Sequence, residues 1–283
     1  MNRFTQNNIL LLFFLISIGA LFYVRLSKEK FVNEQYINLC ERIVTWMKII
    51  VILYISTINN LILLCLFSLI SYISLKEFFQ IFKIKFTKKI RIISLVIILI
   101  NYFLVYKNYV LLYLMFVPCV LTILKVLKKI KKEIIISMLV SIYSMGMITF
   151  LINTKFGIKG IVTYLIIIEL NDIYQYIIGK LFGKNKIVPK ISPNKTREGL
   201  IGGVILTSIT TILFKVFYIN NIYIWSGIMI AILGFLGDVF ISYFKRQNKI
   251  KDTGYILKGH GGILDRIDSL IFNSPFILLL SLL

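Results

Sequence analysis

The chain has 283 residues, 58% of them hydrophobic, and a mean hydropathy of +0.88. Soluble domains are about half apolar, so a separate water-soluble domain is excluded and a lipid bilayer is the expected solvent. The formal charge of +21 comes from 33 Lys and Arg against 12 Asp and Glu, but no RNP motif, helix-turn-helix pattern or zinc-ligand spacing accompanies it, which argues against nucleic acid as a partner.

In chain order the apolar blocks predict spans at 8–25, 43–58, 61–78, 91–106, 109–126, 133–152, 159–180, 199–218, 222–245 and 266–283. This is the pattern of an all-α, polytopic integral membrane protein with about nine or ten transmembrane helices, forming a single membrane domain over 1–283. The first block, Ile9 to Tyr23, lacks a small-residue cleavage site and is followed by further spans, so it reads as a retained helix rather than a signal peptide. Asn59 and Asn60 mark either a tight turn between the second and third spans or a polar kink in one long helix. Cys40, Cys65 and Cys119 have no pairing pattern and are expected to be reduced, buried and inert.

The loops alternate in charge. Lys83, Lys85, Lys88, Lys89 and Arg91 precede the fourth span; Lys125, Lys128, Lys129, Lys131 and Lys132 lie between the fifth and sixth; Lys180, Lys184, Lys186, Lys190, Lys195 and Arg197 follow the seventh; a last basic stretch runs from Lys245 to Arg266. The intervening connections are nearly neutral. The positive-inside rule therefore places the basic loops in the cytoplasm, where they also attract anionic membrane lipids.

The two halves differ in kind. Residues 1–150 read as scaffold helices, and residues 160–270 hold nearly all the unusual polar residues and read as the catalytic region. A charged carboxylate at a helix centre costs about 2.5–3.5 kcal/mol on insertion scales. Glu169 and Asp172 share a face of the seventh span, Asp238 ends the run Gly234 to Asp238 in the ninth, and Asp265 and Asp268 open the tenth. Three helices thus bring carboxylates toward one membrane face. Hard divalent cations take such oxygen ligands, although each carboxylate alone could equally be paired with a nearby Lys or Arg.

Two loops carry phosphate-binding features. The first, Ile191 to Gly199, offers Ser192, Lys195, Thr196 and Glu198 at a helix start, where backbone N–H groups favour an anion; Ser or Thr before Glu is also an ordinary helix cap. The second contains Ser242, Lys245-Arg246, Lys251-Asp252 and His260-Gly261-Gly262, continuing through Asp265-Arg266 to Asp268. Its glycines permit close backbone approach and its cations suit a polyphosphate. His260, the single histidine, lies between cations and carboxylates, which suits phosphate contact or proton handling.

The stretch from Ser242 to Asp268 resembles the signature of the phosphatidate cytidylyltransferases, also called CDP-diacylglycerol synthases. The loop Ser192 to Gly199 resembles that family's second motif. Asn171-Asp172, with Tyr176 and Gly179, resembles the start of its membrane region. The likeness covers roughly residues 160–270. Arg197, Lys258 and Gln175 depart from the family's usual Trp, Pro and small residue.

The resemblance implies transfer of a cytidylyl group from CTP to phosphatidate or a similar lipid phosphate, at a site on the cytoplasmic side. It implies catalytic roles for Asp238, Lys245, Arg246, Asp265, Asp268 and His260. Substrate binding would fall to Ser192, Lys195, Thr196, Glu198, Lys251, Asp252, Gly261, Gly262 and Arg266. Mg2+, with room for a second cation, would be held by Asp172, Asp238, Asp265 and Asp268. A homodimer is compatible with this reading. Two alternatives are a CTP-dependent enzyme acting on an isoprenoid lipid and an ion-coupled transporter using Glu169, Asp172 and Asp238.

Overall fold

The computed structural model describes residues 3–26, 28, 33–115, 132–217, 225–254, 256 and 261–282. His260, Lys258, Cys119 and most of the basic loop at 125–132 lie outside the described residues. Every named element among the described residues is helical; a β-bridge joins Lys186 and Thr196.

The chain begins with the pair α1 (Arg3–Leu26) and α2 (Asn33–Ser56). Then come α3 (Asn60–Ile81), α4 (Lys88–Tyr106), α5 (Glu133–Asn153), α6 (Gly157–Phe182), α7 (Arg197–Phe217) and α8 (Ser226–Gln247). The C-terminal part is a single turn, α9 (Leu264–Ile267), followed by α10 (Leu270–Leu282). The turn reading of Asn59-Asn60 is the right one. Asn59 adopts an extended backbone and its side chain accepts the Leu61 N–H at 2.9 Å, so α3 starts with its own cap. Thr87 caps α4 in the same way.

Among the described residues six helices, α3 to α8, are long and apolar enough to cross a membrane; most of the expected span 109–126 lies outside the described residues. Three shorter apolar stretches, Phe13–Leu26, Ile43–Ser56 and Leu270–Leu282, fall below that length. The predicted span 266–283 is broken between α9 and α10. The 13 residues of α10 rise only about 20 Å at about 1.5 Å each, short of a hydrocarbon core of about 30 Å. Cys65 is exposed and Cys40 half-buried, so neither is the buried thiol expected from its apolar neighbours.

Burial identifies the central helix. The apolar window of α5 is 72% buried, against 28–44% for the other five, whose remaining surface is apolar and outward-facing. Midway along α5 the chain widens into a π turn over Leu139–Tyr143. The Tyr143 carbonyl there accepts the Tyr113 hydroxyl at 2.7 Å, and the two rings stack at 5.3 Å. Phe67, Phe78, Phe79 and Phe150 fill the core between α3 and α5, while Leu10 and Ile50 tie the first two helices to Val162 of α6.

Polar contacts and glycines knit α6, α7 and α8 together. A Cβ on Gly199 would lie 2.8 Å from the Gln175 carbonyl oxygen and 3.1 Å from Gly179 Cα, so the backbones of α6 and α7 touch there. Gly203 makes room for the Gln175 side chain and Gly202 for Ile178. Asn171, fully buried, accepts from Gln175 Nε2 and from the Thr207 hydroxyl, each at 3.1 Å. Gln175 Nε2 also reaches the Ala231 carbonyl of α8 at 3.2 Å. On the far side Asn273 of α10 donates to the Ile230 and Ser269 carbonyls. In a bilayer each such amide must find its partner inside the protein.

Candidate active site

Four chain segments meet at one end of the molecule: the C-terminal turn of α3, the C-terminal half of α6, the loop 183–196, and the C-terminal half of α8 with the loop leading to α9. The sequence-predicted residues that are described gather there.

The loop between α6 and α7 is built by its own side chains. Thr196 is buried and its hydroxyl accepts the Gly199 N–H at 3.1 Å, capping α7. Glu198 reaches back to the Lys184 and Asn185 N–H groups and to Asn185 Nδ2 at 2.9–3.3 Å. The bridge between Lys186 and Thr196 closes the loop. These two residues therefore shape the loop. Ser192 lies in the turn that this closure leaves, where its N–H bonds the Val188 carbonyl and its carbonyl accepts the Lys195 N–H.

That loop delivers Lys195 to Asp238 of α8 in an ion pair, with the Phe235 ring 5.6 Å from the ammonium. Burial opposes the charge on Lys195, but the carboxylates of Asp238, Asp172 and Asp268 outweigh it and hold its pKa above the ordinary lysine value. Arg266 interacts electrostatically with Glu169 and Asp268, and its Nε is buried without a hydrogen-bond partner. Gly237 lets α8 approach the Asp268 carbonyl, which brings Asp238 and Asp268 together.

A second pair lies beside the first. Lys245 donates to Asp265 Oδ1 at 2.8 Å, and both side chains are nearly buried. Asp265 Oδ2 accepts from the Thr253 N–H, the Thr253 hydroxyl and the Gly262 N–H at 2.9–3.1 Å. Gly261 turns with φ +80°, a conformation that suits glycine, and delivers Gly262 to this bond. The Gly262 amide, expected to face phosphate, is thus taken up by the loop itself. Arg246 donates from Nε to the Ile191 carbonyl and from Nη1 to the Ile250 carbonyl, both at 3.1 Å, joining the two loops. Lys251 and Asp252 are exposed.

Sequence reasoning missed Glu77. It sits in the last turns of α3, in the half read as scaffold, and is 2% exposed. Its Oε1 accepts the Ile263 N–H at 3.0 Å; its Oε2 accepts the Leu264 N–H at 2.7 Å and the Thr253 hydroxyl at 3.2 Å. The only sequence signal was a carboxylate inside an apolar span.

The charge balance bears on a divalent cation. Glu169, Asp172, Asp238, Asp265 and Asp268 set five carboxylates against Lys195, Lys245 and Arg266. That deficit and the oxygen donors suit magnesium, which takes one or two carboxylates and completes its shell with water and phosphate oxygens. Among the described residues no three His, Cys, Asp or Glu side chains are gathered into a metal cage. Asp265 Oδ2 is taken up by protein donors while Oδ1 accepts from Lys245 alone, so Asp172, Asp238, Asp265 and Asp268 all keep oxygens suited to such a role.

Known proteins resemble this chain over about half of its length. A phosphatidate cytidylyltransferase of Staphylococcus haemolyticus is 42% identical over 144 residues, 50% of this chain and 55% of its own length. One from Staphylococcus saprophyticus is 44% identical over 125 residues, 43% of this chain and 48% of its own. An uncharacterized protein of Escherichia coli, YnbB, is 46% identical over 126 residues, 44% of this chain and 42% of its own. The chain thus spans about half the length of the curated relatives it matches. The sequence profile of the cytidylyltransferase family matches residues 40–283, and the chain belongs to that family.

Proposed function

We propose that this chain transfers a cytidylyl group from CTP to phosphatidate, giving CDP-diacylglycerol and pyrophosphate, as a multi-pass membrane protein with its site on the cytoplasmic side. The observation that carries this is the paired Lys195–Asp238 and Lys245–Asp265 cluster at one end of six apolar helices. It joins polyphosphate-binding charge to a surface that lipid acyl chains can reach. The names of the staphylococcal relatives agree with it. The side follows from the basic loops 183–197 and 245–266, which flank the cluster.

In the reaction a phosphate oxygen of phosphatidate attacks the α-phosphorus of CTP. A new P–O bond forms, the α–β bridge bond breaks, and its electron pair leaves on pyrophosphate. The nucleophile is already an anion, so no strong general base is needed. Lys195 and Arg266 would meet the negative charge of the phosphates, and Ser192 would donate to a phosphate oxygen. Lys245, fixed by Asp265, would add a cation whose position does not wander. Mg2+ held by Asp238 with Asp172 or Asp268 would screen the phosphate oxygens and stabilise the leaving pyrophosphate.

The test is purified protein in nanodiscs with radiolabelled CTP and separate acceptors: phosphatidate, an isoprenoid phosphate and an isoprenoid alcohol. Label in CDP-diacylglycerol, dependent on Mg2+, is the expected result. Transfer to an isoprenoid acceptor alone, or no transfer at all, overturns the proposal.

A further inference from the structure

We infer that Glu77 is a positioning residue for the part of the site that carries Asp265 and Arg266, acting from the N-terminal half of the chain through the Gly261–Leu264 backbone and Thr253. This deepens the cytidylyltransferase reading and rests on it for the kinetic part of the test.

The geometry is specific. One carboxylate takes two successive backbone N–H groups, of Ile263 and Leu264, which open the α9 turn carrying Asp265 and Arg266. The same carboxylate meets the Thr253 hydroxyl, which also reaches Asp265 Oδ2 at 3.0 Å. Glu77 and Asp265 therefore hold adjacent parts of the same segment and meet at the Thr253 hydroxyl. Asp265 takes the Gly262 N–H, and Glu77 takes the next two. Two glycines leave room for it. A Cβ on Gly254 would lie 2.8 Å from Glu77 Oε1, and a Cβ on Gly262 would collide with Oε2. These bonds join the first half of the molecule directly to this loop.

The chemistry explains why a carboxylate is needed. Each carboxylate oxygen takes one backbone N–H, so an amide would point its own N–H group at one of them. A carboxylate also compensates the positive end of the short helix. Without Glu77 the two amides lose their acceptor, and the loop bearing Asp265, Arg266 and Asp268 loses its attachment to α3. A shift of about 1 Å in such a loop can cost about a hundredfold in rate.

The experiment uses the full chain in nanodiscs, as wild type, Glu77→Gln and Glu77→Asp. Two readouts are taken: backbone hydrogen exchange over residues 261–267, and cytidylyl transfer with separate KM values for CTP and phosphatidate. In Glu77→Gln the exchange of the Ile263 and Leu264 amides should accelerate. Turnover over KM for CTP should fall about 10- to 100-fold, KM for phosphatidate should stay unchanged, and the melting temperature should move little. Glu77→Asp keeps the charge and both acceptor oxygens on a shorter stem, and should recover part of both effects. Unchanged exchange at 263–264 in both variants overturns the inference. So does a loss of activity explained by fewer folded molecules with unaltered KM values. If the wild type transfers nothing from CTP, the functional reading fails while the exchange result still decides the role of Glu77.

Discussion

The Lys245–Asp265 and Lys195–Asp238 pairs have the same two side chains and opposite surroundings. Asp265 accepts from Lys245 and from the Thr253 and Gly262 N–H groups, and shares the Thr253 hydroxyl with Glu77. Asp238 receives one, from Lys195, and faces Asp172, Asp268 and Glu169. The first pair is closed and holds a loop. The second is open and short of positive charge. A lysine–aspartate pair in a signature motif can therefore be architecture or chemistry, and the donors around the carboxylate decide which.

The strongest way to break this distinction is to neutralise each aspartate without changing its shape. Asp238→Asn should cut cytidylyl transfer by about 100- to 1000-fold, with the detergent melting temperature nearly unchanged. Asp265→Asn should act first on stability. It strips a nearly buried lysine of its counter-charge, and such losses run to about 3–5 kcal/mol. Turnover and melting measured on the same preparations separate the two; equal melting losses in both variants would erase the contrast.

A smaller effect tests what sets the Lys195–Asp238 distance. Gly199→Ala would push against the Gln175 carbonyl and Gly179 and should cost about 1–3 kcal/mol. Because this crossing carries the loop that ends in Lys195, residual activity should show a raised KM for CTP. A normal KM would mean the loop holds Lys195 in place independently of the helices.

The smallest expected effect is at the surface. Lys251→Ala and Asp252→Asn should leave stability within about 0.5 kcal/mol, since both side chains are exposed. A rise in KM for CTP in Lys251→Ala, read by the same transfer assay, would assign that lysine to phosphate rather than to the general basic field of the loop.

How much of this was legible before the structure differs from residue to residue. Periodicity and the insertion cost of charge pointed to Asp172, Asp238, Asp265 and Asp268, because an acidic residue in an apolar block stands out along the chain. What periodicity cannot give is the partner on another helix. Lys195 was read as a phosphate ligand, with nothing to link it to Asp238 on another helix, 43 residues away. Glu198 and Thr196 were read with the substrate, whereas their nearest tasks are to close a loop and cap a helix. The end of the last span was hidden for a related reason. Hydropathy carried the last block back to 266, but the segment between α9 and α10 sits where Asp268 is needed at the site, and the helix restarts at Leu270.

The bond between Glu77 and Leu264 joins residues 187 positions apart, and that separation is also an interval in time. At about 5–20 residues per second, roughly 10 to 40 s pass between synthesis of the carboxylate and synthesis of its donors. Throughout that interval α3 carries an acidic group for which the later half of the chain has supplied no N–H, in a solvent that penalises it. Its place four residues before Ile81, the last residue of α3, keeps the group near water while it waits. The loop that carries Asp265 and Arg266 is consequently among the last parts of the protein to be secured during biogenesis, and a ribosome stalled before Ile263 leaves behind helices with a carboxylate lacking the two amides it was placed to receive.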